Sequence, residues 1–512
     1  MKTIKKIMLI MCILLALGGC ENKENSVLNS IDVKSEDLTP VDGGTLRISV
    51  TRFKTMNPLL NEEESMDYAL KLIYEGLFTL DENYNLSPRL ADSYQISPDN
   101  REIRVTLKSN VTWHDGSQLT ADDVLFSFDF LKKNPTTPYG KLIENIDRVS
   151  SSGNEIIFTL KNPNMFEPYN LIFPIIKSGT IEGKINPKEP LKEVFKPIGN
   201  GRFFMENYVP RKEITLKTYQ GYYGKKPHIA EVKIKIVPDN QAQKDVLISS
   251  DTDFANIEIN DYGKFSSRRF KIRPYTSQNY EGMILNFRSP LIQDFNFRQG
   301  LNNALDRKKI LKEGFVNNGE VSLIPLIPKN EYYKESFKKQ KYSSEKAKTF
   351  LSKVPDLNKK EIILAVDSGN LQRVKTSYLI REILENYNIS VLVQEYPTEE
   401  YEKVLQSGKY DMALIGWKLP NKPDISFILE NGRNYGAFNE DVLKEAQGRM
   451  NTSLPQDGKK VYEELQTYFA DQMPYVGFVV TKNAIVTGEN IKGDLKSNEF
   501  NIYEGIEDIF IK

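Results

Sequence analysis

The segment from residue 361 to residue 417 constrains the fold most, because strand and helix patterns alternate along it. The strand patterns cover Ile362–Val366, Ile389–Val393 and Met412–Ile415, and the helical patterns cover Tyr378–Leu384 and Glu399–Leu405. Strands and helices at this spacing predict an α/β lobe with a parallel sheet and right-handed crossovers. Ligands of open α/β sheets bind beyond the carboxyl ends of the strands, where Gly416 and Trp417 lie. Trp417 is therefore a candidate site residue, although a tryptophan that caps the core fits this position about equally well.

The amino terminus has the order of charges and apolar residues that is typical of a secretory signal. Lys2, Lys5 and Lys6 precede the uncharged run Ile7–Leu17, and small residues and Cys20 follow it. The run is well short of the roughly 20 apolar residues that span a bilayer as a helix. Residues 1–19 are therefore predicted to be a signal peptide.

The end of this signal, Leu17-Gly18-Gly19-Cys20, resembles a bacterial lipobox. The resemblance implies that Cys20 is lipidated and becomes the first mature residue, anchoring the chain to a membrane. The alternative is an ordinary signal with an incidental cysteine. Residues 20–42 are polar and poor in aromatic residues, so they are predicted to form a flexible tether.

Length and charge narrow the class of protein further. About 490 residues follow the signal, more than the roughly 250–300 at which a single hydrophobic core stops growing, so at least two lobes are expected. Lys plus Arg and Asp plus Glu number 69 each, and no long block of one sign occurs. Nothing in this balance favours nucleic-acid binding.

The rest of the chain shows further strand and helix patterns. A helix is predicted from Ser65, with apolar residues at helical spacing as far as Leu77, and a second helix follows the Thr120 and Asp123 capping pair. The remaining strand patterns are Thr45–Val50, Ile103–Leu107, Ile156–Leu160 and Val232–Val237.

A series of short motifs resembles the family 5 extracellular solute-binding proteins, the oligopeptide-, dipeptide- and nickel-binding components of ABC importers. The motifs are Tyr74-Glu75-Gly76-Leu77-Phe78, Leu90-Ala91-Asp92-Ser93-Tyr94, Trp113-His114-Asp115-Gly116, Leu119-Thr120-Ala121-Asp122-Asp123-Val124, Ile198-Gly199-Asn200-Gly201, Tyr222-Tyr223, Phe297-Arg298-Gln299, Ala304-Leu305-Asp306-Arg307, Glu345-Lys346-Ala347, Tyr410-Asp411, Gly416-Trp417 and Asp471 to Pro474. Each motif is weak alone, but together they follow the family's order over nearly the whole mature chain.

The resemblance implies a flytrap of the periplasmic-binding-protein type, with two α/β lobes joined by a two-strand hinge and an inserted third domain. The expected boundaries are 43–75, 193–283 and 485–512 for domain I, 76–192 for domain II and 284–484 for domain III. The ligand is expected between domains I and III, with hinge crossings near Met283 and Ile485. The implied protein is a monomer on the outer face of a bacterial membrane, which gives a peptide or peptide-like ligand to an ABC permease.

Two positions depart from the family pattern. Peptide binders of the family commonly place an aspartate three residues after the tryptophan of the Gly-Trp motif, where it holds the peptide's α-ammonium group. Pro420 stands there in this chain, and the nearest acidic residue is Asp424. Glu62 and Glu64 are candidate replacements, because an ammonium group in a dry cleft needs a counter-charge. Arg202 replaces a usual proline and is interpreted as structural.

The resemblance also suggests individual ligand contacts. A peptide main chain is expected to pair with strand edges near Asn61–Glu64 and near Gly416, Trp417 and Lys418. Trp417, Tyr280 and Tyr435 are candidates for stacking on the ligand or forming the wall of its site. Arg433 is a candidate for a ligand carboxylate, or alternatively a solvated loop charge. Trp417→Ala is expected to weaken binding with little loss of folding.

Enzymatic and metal chemistry have little support in the sequence. His114 and His228 are the only histidines and lack metal-ligand spacing, and His114 is interpreted as structural. No nucleophile elbow or Walker loop occurs, so neither an enzyme nor a cofactor is expected. Two alternatives to transport remain: a peptide pheromone or sensor lipoprotein, and a surface interaction protein that keeps the fold.

Overall fold

The folded part of the chain begins with a strand whose sequence alternates in burial. Leu46, Ile48 and Val50 are fully buried, whereas Thr45 and Arg47 are partly exposed, the pattern of a strand with one face on the core. The computed structural model describes residues 39–180, 197–338, 342–425, 427–428 and 434–512. The predicted signal peptide and Cys20 lie outside the described residues.

The strands of the described residues belong to several separate sheets. In chain order they are β1 (Thr45–Thr51), β2 (Phe78–Leu80), β3 (Leu86–Pro88), β4 (Ala91–Ile96), β5 (Glu102–Leu107), β6 (Ile146–Ser152), β7 (Glu155–Leu160), β8 (Phe203–Val209), β9 (Glu213–Thr218), β10 (Glu231–Val237), β11 (Phe254–Ile257), β12 (Phe270–Leu285), β13 (Gly319–Val321), β14 (Glu361–Asp367), β15 (Ser390–Tyr396), β16 (Met412–Lys418), β17 (Tyr475–Gly488), β18 (Ile491–Lys492) and β19 (Phe510–Ile511).

The α-helices lie mostly in the second half of the chain. They are α1 (Glu64–Leu70), α2 (Ala121–Lys133), α3 (Pro138–Leu142), α4 (Asn240–Ile248), α5 (Pro290–Gln293), α6 (Phe295–Ala304), α7 (Arg307–Lys309), α8 (Glu335–Lys338), α9 (Ser344–Leu351), α10 (Leu371–Glu385), α11 (Thr398–Ser407), α12 (Asp441–Thr452) and α13 (Pro455–Gln472). Among the described residues, no helix is both long and apolar enough to cross a membrane.

Two four-stranded sheets occupy the first half of the chain. One has the order β1-β10-β9-β8, with β1 parallel to β10, and the other is the antiparallel sheet β4-β5-β7-β6. The capping box predicted from Thr120 and Asp123 is present at the start of α2. A single hydrophobic cluster contains side chains from both sheets and from the C-terminal segment, including Ile509.

The predicted helix from Ser65 is shorter than its apolar pattern indicated. It ends at Leu70, so Leu77 lies outside it. Beyond it, the carbonyl oxygens of Leu72 and Ile73 accept hydrogen bonds from the N–H groups of Phe203 and Gly201, at 3.0 and 2.8 Å, so they do not continue the helix. At Gly76 the chain approaches another segment closely, and a Cβ atom would lie 2.6 Å from the carbonyl oxygen of Phe173.

The second half of the chain forms the predicted α/β lobe. Its sheet has the order β11-β17-β12-β16-β14-β15, with β13 on β17, and β14 is parallel to both β15 and β16. The alternation of β14, α10, β15, α11 and β16 therefore confirms the prediction made from residues 361–417. The mixed α/β architecture is confirmed, whereas the domain boundaries remain predictions.

The two longest strands, β12 and β17, run antiparallel and link the halves of the molecule. Their register shifts twice, between Thr276 and Tyr280 and again between Glu281 and Gly282. Met283, one of the two expected hinge positions, directly follows the second shift, whereas Ile485 lies in a regularly paired stretch. A register irregularity interrupts the ladder and locally increases twist, and the position of the hinge stays a prediction.

Arg202 lies at the centre of a buried charge network. Its guanidinium group donates hydrogen bonds to the carboxylates of Glu75 at 3.1 Å and Glu507 at 2.9 Å. The hydroxyl groups of Tyr222 and Tyr223 also donate to Glu75, at 2.8 and 2.6 Å. Three segments that are far apart in sequence are thereby tied together, which supports the structural interpretation of Arg202.

His114 is held between two backbone groups. The N–H of Gly199 donates to its Nδ1 at 3.1 Å, so Nε2 carries the ring proton and donates to the carbonyl oxygen of Gly201 at 3.0 Å. Burial lowers the pKa of His114 to about 4, because a second proton would be placed on a buried nitrogen that already accepts a hydrogen bond. The ring is therefore neutral and structural at pH 7.

This environment predicts a specific pH dependence of stability. An unfolded histidine binds its proton near pH 6.5, whereas the folded His114 binds it only near pH 4. As the pH falls from about 6.5 towards 4, the unfolded state binds a proton at His114 that the folded state does not. The free energy of unfolding therefore decreases over this range. Relative to a His114→Gln variant, the wild type should lose about 2–3 kcal/mol of unfolding free energy between pH 7 and pH 4.5. A difference in urea-unfolding free energy that stays constant across this range would contradict the assignment.

Candidate ligand-binding site

Three cavities of the described residues meet at Lys418, the last residue of β16. Their volumes are about 320, 520 and 310 Å³, and they are called the first, second and third cavities below. The first and third share Glu64 and Glu499, and the first and second share Asn279 and Asn483. Together they form one cleft between the segments near residues 61–68 and the end of the α/β sheet. This position, beyond the carboxyl end of β16, is the one that the sequence predicted.

The bulge in the β12–β17 ribbon forms part of the cleft wall. Asn279, Thr481 and Asn483 line the second cavity at the register shift, and the hydroxyl groups of Ser277 and Thr481 share a hydrogen bond of 3.0 Å. Polar side chains therefore line the cleft where the register of the two strands is irregular. A change in the pairing of these strands would alter the cleft directly.

Trp417 and Tyr280 are packed against each other beneath the cleft. They are partners in the β12–β16 ladder, so their side chains share one face of the sheet, and their rings stack at 5.9 Å with an interplanar angle of 8°. Trp417 is 9% exposed and Tyr280 is fully buried. Both residues line the second cavity, which agrees with a place in its wall. The stacking of a ligand on either ring stays a prediction.

Gly416 lies beneath an ion pair that the sequence did not suggest. Arg373, near the start of α10, donates two hydrogen bonds to the carboxylate of Glu281, at 2.7 and 2.9 Å. A Cβ atom on Gly416 would lie 2.0 Å from a guanidinium nitrogen of Arg373. Glycine at 416 therefore leaves the space that this pair occupies, and all three residues line the second cavity. No local pattern could reveal the pair, because Glu281 is opposite Gly416 only once β12 and β16 have paired.

The two predicted strand edges have different outcomes. β14 pairs with β16 only at Met412 and Ala413, so among the described residues the end of β16 has no strand on that side. Residues 61–63, in contrast, form a loop into α1, in which the side-chain amide of Asn61 donates to the carbonyl oxygen of Glu63 at 2.8 Å. The strand edge predicted near Asn61–Glu64 is therefore wrong, because Asn61 stabilises a turn before the helix.

The acidic candidates Glu62 and Glu64 both border the third cavity. Glu62 is exposed, with its carboxylate 3.9 Å from the ammonium group of Lys54. Glu64 lies 3.9 Å from the ammonium group of Lys418, which is also 3.7 Å from Glu499. The structure thus brings Glu64 and Lys418 together and adds Glu499, which sequence reasoning missed. No local signal marks Glu499, because its contacts with the cleft depend on the fold of the whole chain.

Tyr435 and Asp424 are not among the residues that line these cavities. Tyr435 packs against the hydrophobic cluster that contains Trp417, and its carbonyl oxygen accepts a hydrogen bond from Tyr410 at 3.0 Å. Asp424 is buried and lies 3.3 Å from the ammonium group of Lys422. Arg433 lies outside the described residues. Tyr435 is therefore a partly buried residue outside the three cavities, and the role predicted for it stays a prediction.

The described ranges contain no group of three or more His, Cys, Asp or Glu side chains arranged to hold a metal ion. The cleft is lined instead by carboxylates, amides, hydroxyl groups and a few lysines. Such a lining can bind a polar ligand through many hydrogen bonds.

Comparisons with known proteins show similarity in sequence and in fold. The family model described as bacterial extracellular solute-binding proteins, family 5 middle, matches residues 85–439. The oligopeptide-binding protein AppA of Bacillus subtilis is 26% identical over 94% of this chain and 94% of its own. The structure of the ABC transporter substrate-binding protein CtaP of Listeria monocytogenes superposes with a TM-score of 0.75 at 20% identity, covering 92% of this chain and 99% of that one. The structure of Bacillus subtilis AppA in complex with a nonapeptide superposes with a TM-score of 0.57 at 24% identity, covering 93% and 100%.

Proposed function

The chain belongs to the family 5 bacterial extracellular solute-binding proteins, and we propose that it captures a peptide or peptide-like ligand in the cleft around Lys418 and delivers it to an ABC permease. The observation that carries this proposal is the junction of three cavities at the end of β16, bordered by α1 and its preceding loop on one side and by α10 on the other. A binding role also agrees with the family, whose members are solute-binding proteins.

The unpaired end of β16 supports a peptide as the ligand. Its backbone N–H and C=O groups can pair with the main chain of an extended peptide, which gives affinity without reading side chains. The cavities on either side are polar, so water molecules can adjust to different side chains. The name of the Bacillus subtilis relative and its nonapeptide complex point to the same class of ligand.

Capture would work through a population shift. The hinge would lie in β12 and β17, and a ligand that touches both walls of the cleft would favour the closed arrangement of the lobes. The bound form would then present a surface that the permease recognises.

Mass spectrometry of the purified protein tests the ligand class. The protein should release peptides, or a compound with peptide bonds, when it is gently denatured, and the emptied protein should bind a pool of tri- to octapeptides in a calorimeter. Loss of uptake of a labelled peptide on gene deletion would separate transport from sensing. Absence of peptide in the released material, together with no heat of binding for the pool, would contradict the proposal.

We also propose that Cys20 carries the lipid that holds the protein at the outer face of the cell membrane. The support is the signal-like segment 1–19 and its Leu-Gly-Gly-Cys ending. Cys20→Ser removes the acceptor for the lipid, so the protein should move from the membrane fraction to the medium. A Ser26→Ala control in the tether should leave it with the membranes. The lipid proposal fails if the Cys20→Ser protein still sediments with membranes.

A further inference from the structure

Glu499 has a buried carboxylate of which only one oxygen accepts a hydrogen bond. Its side chain is 7% exposed, and the side-chain amide of Asn483 donates to Oε1 at 2.7 Å. The other oxygen, Oε2, is shielded from solvent and accepts no hydrogen bond from any described residue. A buried carboxylate oxygen without a donor is costly, and this one borders both the first and the third cavities.

The ammonium group of Lys418 is the positive charge nearest to this oxygen, but it is loosely held. It lies 3.7 Å from Glu499 Oε2 and 3.9 Å from Glu64 Oε1, beyond hydrogen-bond distance from both. The Lys418 side chain is 61% exposed and on a flexible four-carbon stem. The Lys418 ammonium group thus lies where two carboxylates favour a positive charge. Because its side chain is exposed, it can move away.

The first cavity has a surplus of negative charge. Four carboxylates line it, those of Glu63, Glu64, Glu258 and Glu499, against the two ammonium groups of Lys244 and Lys418. Lys244 is already engaged by Asp261 at 2.5 Å. Burial raises the pKa of Glu499, and the neighbouring Glu64 raises it further, while Lys418 and the N–H of Gln278 oppose this change. A second cation in the cavity would stabilise the charged carboxylate.

We propose that the ligand carries an ammonium group that takes the place of the Lys418 ammonium and donates a hydrogen bond to Glu499 Oε2, with Glu64 as a second acceptor. The proposal rests on the proposed function, because the ammonium group belongs to the captured peptide. A charge-assisted hydrogen bond to a desolvated carboxylate is among the stronger polar contacts available to a ligand. Glu499 would thus supply the counter-charge that Pro420 cannot.

Paired peptide probes test this assignment. One probe is a lysine-free pool of tri- to pentapeptides with free amino termini, and the other is the same pool with acetylated amino termini. The wild type should bind the free pool at least about 30-fold more tightly, since acetylation removes the charged donor. In Glu499→Gln this preference should fall below about 3-fold, because the amide has nearly the same shape but no charge.

Two further variants make the result decisive. Glu489→Gln changes an exposed carboxylate in the turn after β17 and should keep the full preference. Lys418→Met removes the competing ammonium group at an exposed side chain, so the free pool should bind about two- to tenfold more tightly, and the gain should be smaller for the acetylated pool. This second variant tests the site even if Glu499→Gln lowers stability.

The outcomes separate this proposal from the proposed function. Equal binding of the two pools by the wild type, an undiminished preference in Glu499→Gln, or weaker binding of the free pool by Lys418→Met would overturn the role of Glu499 while peptide capture stands. Failure of the wild type to bind either pool would overturn both.

Discussion

Replacing Arg202 with methionine is expected to lower the free energy of unfolding by about 3–5 kcal/mol. The substitution leaves the buried carboxylate of Glu75 without its cation and removes the link to Glu507. Two tyrosine hydroxyl groups still donate to Glu75, but they do not neutralise its charge. The unfolding free energy from urea titration measures the effect.

The control for this variant is Arg268→Met, which removes an exposed arginine before β12 and should change stability by less than about 0.5 kcal/mol. The double variant Arg202→Met with Glu75→Gln should recover part of the loss, since it removes the uncompensated charge as well. An Arg202→Met protein within about 1 kcal/mol of the control would show that the network does not stabilise the fold.

Trp417→Ala is expected to cost about 3–5 kcal/mol of folding stability and also to weaken peptide binding. The sequence suggested little loss of folding, but the ring is stacked on Tyr280 and meets the ring of Tyr475 edge-on at 4.8 Å. Removing the ring leaves an empty space behind Gly416 and Lys418, which line the second cavity. We therefore expect a larger loss of stability than the sequence suggested, and the same weakening of ligand binding.

Trp417→Phe separates the two effects, because it keeps an aromatic ring against Tyr280 and should retain more than half of the lost stability. Calorimetry with the peptide pool, at a temperature where both variants are folded, measures the effect on binding. A Trp417→Ala protein as stable as the wild type would contradict the packing role, and unchanged affinity would remove Trp417 from the ligand-binding site.

The α/β lobe could be predicted from sequence because its strands and helices have strong local periodicity. The parallel pairing of β14 with β15 and β16 follows from the helices between them. The end of α1 could not be predicted, because the carbonyl groups of Leu72 and Ile73 bond to a segment more than 120 residues further along the chain. The position of the ribbon bulge depends on the register of β12 and β17, which local sequence does not encode.

Only part of the candidate site could be predicted from the sequence. Gly416, Trp417 and Lys418 could be placed at the ligand cleft, because strand ends in α/β sheets form such sites. Arg373 and Glu499 could not, since each reaches the cleft through contacts between segments that are far apart in sequence.

A distance measurement between the two lobes tests the central claim most directly. The chain has cysteine only at positions 12 and 20, so a protein with both replaced by serine can be spin-labelled at Asp245→Cys on α4 and Lys403→Cys on α11. Adding the tri- to octapeptide pool should move the distribution of label distances to shorter values, as the lobes close on a bound peptide. A distribution that stays the same at saturating peptide would contradict capture between the lobes.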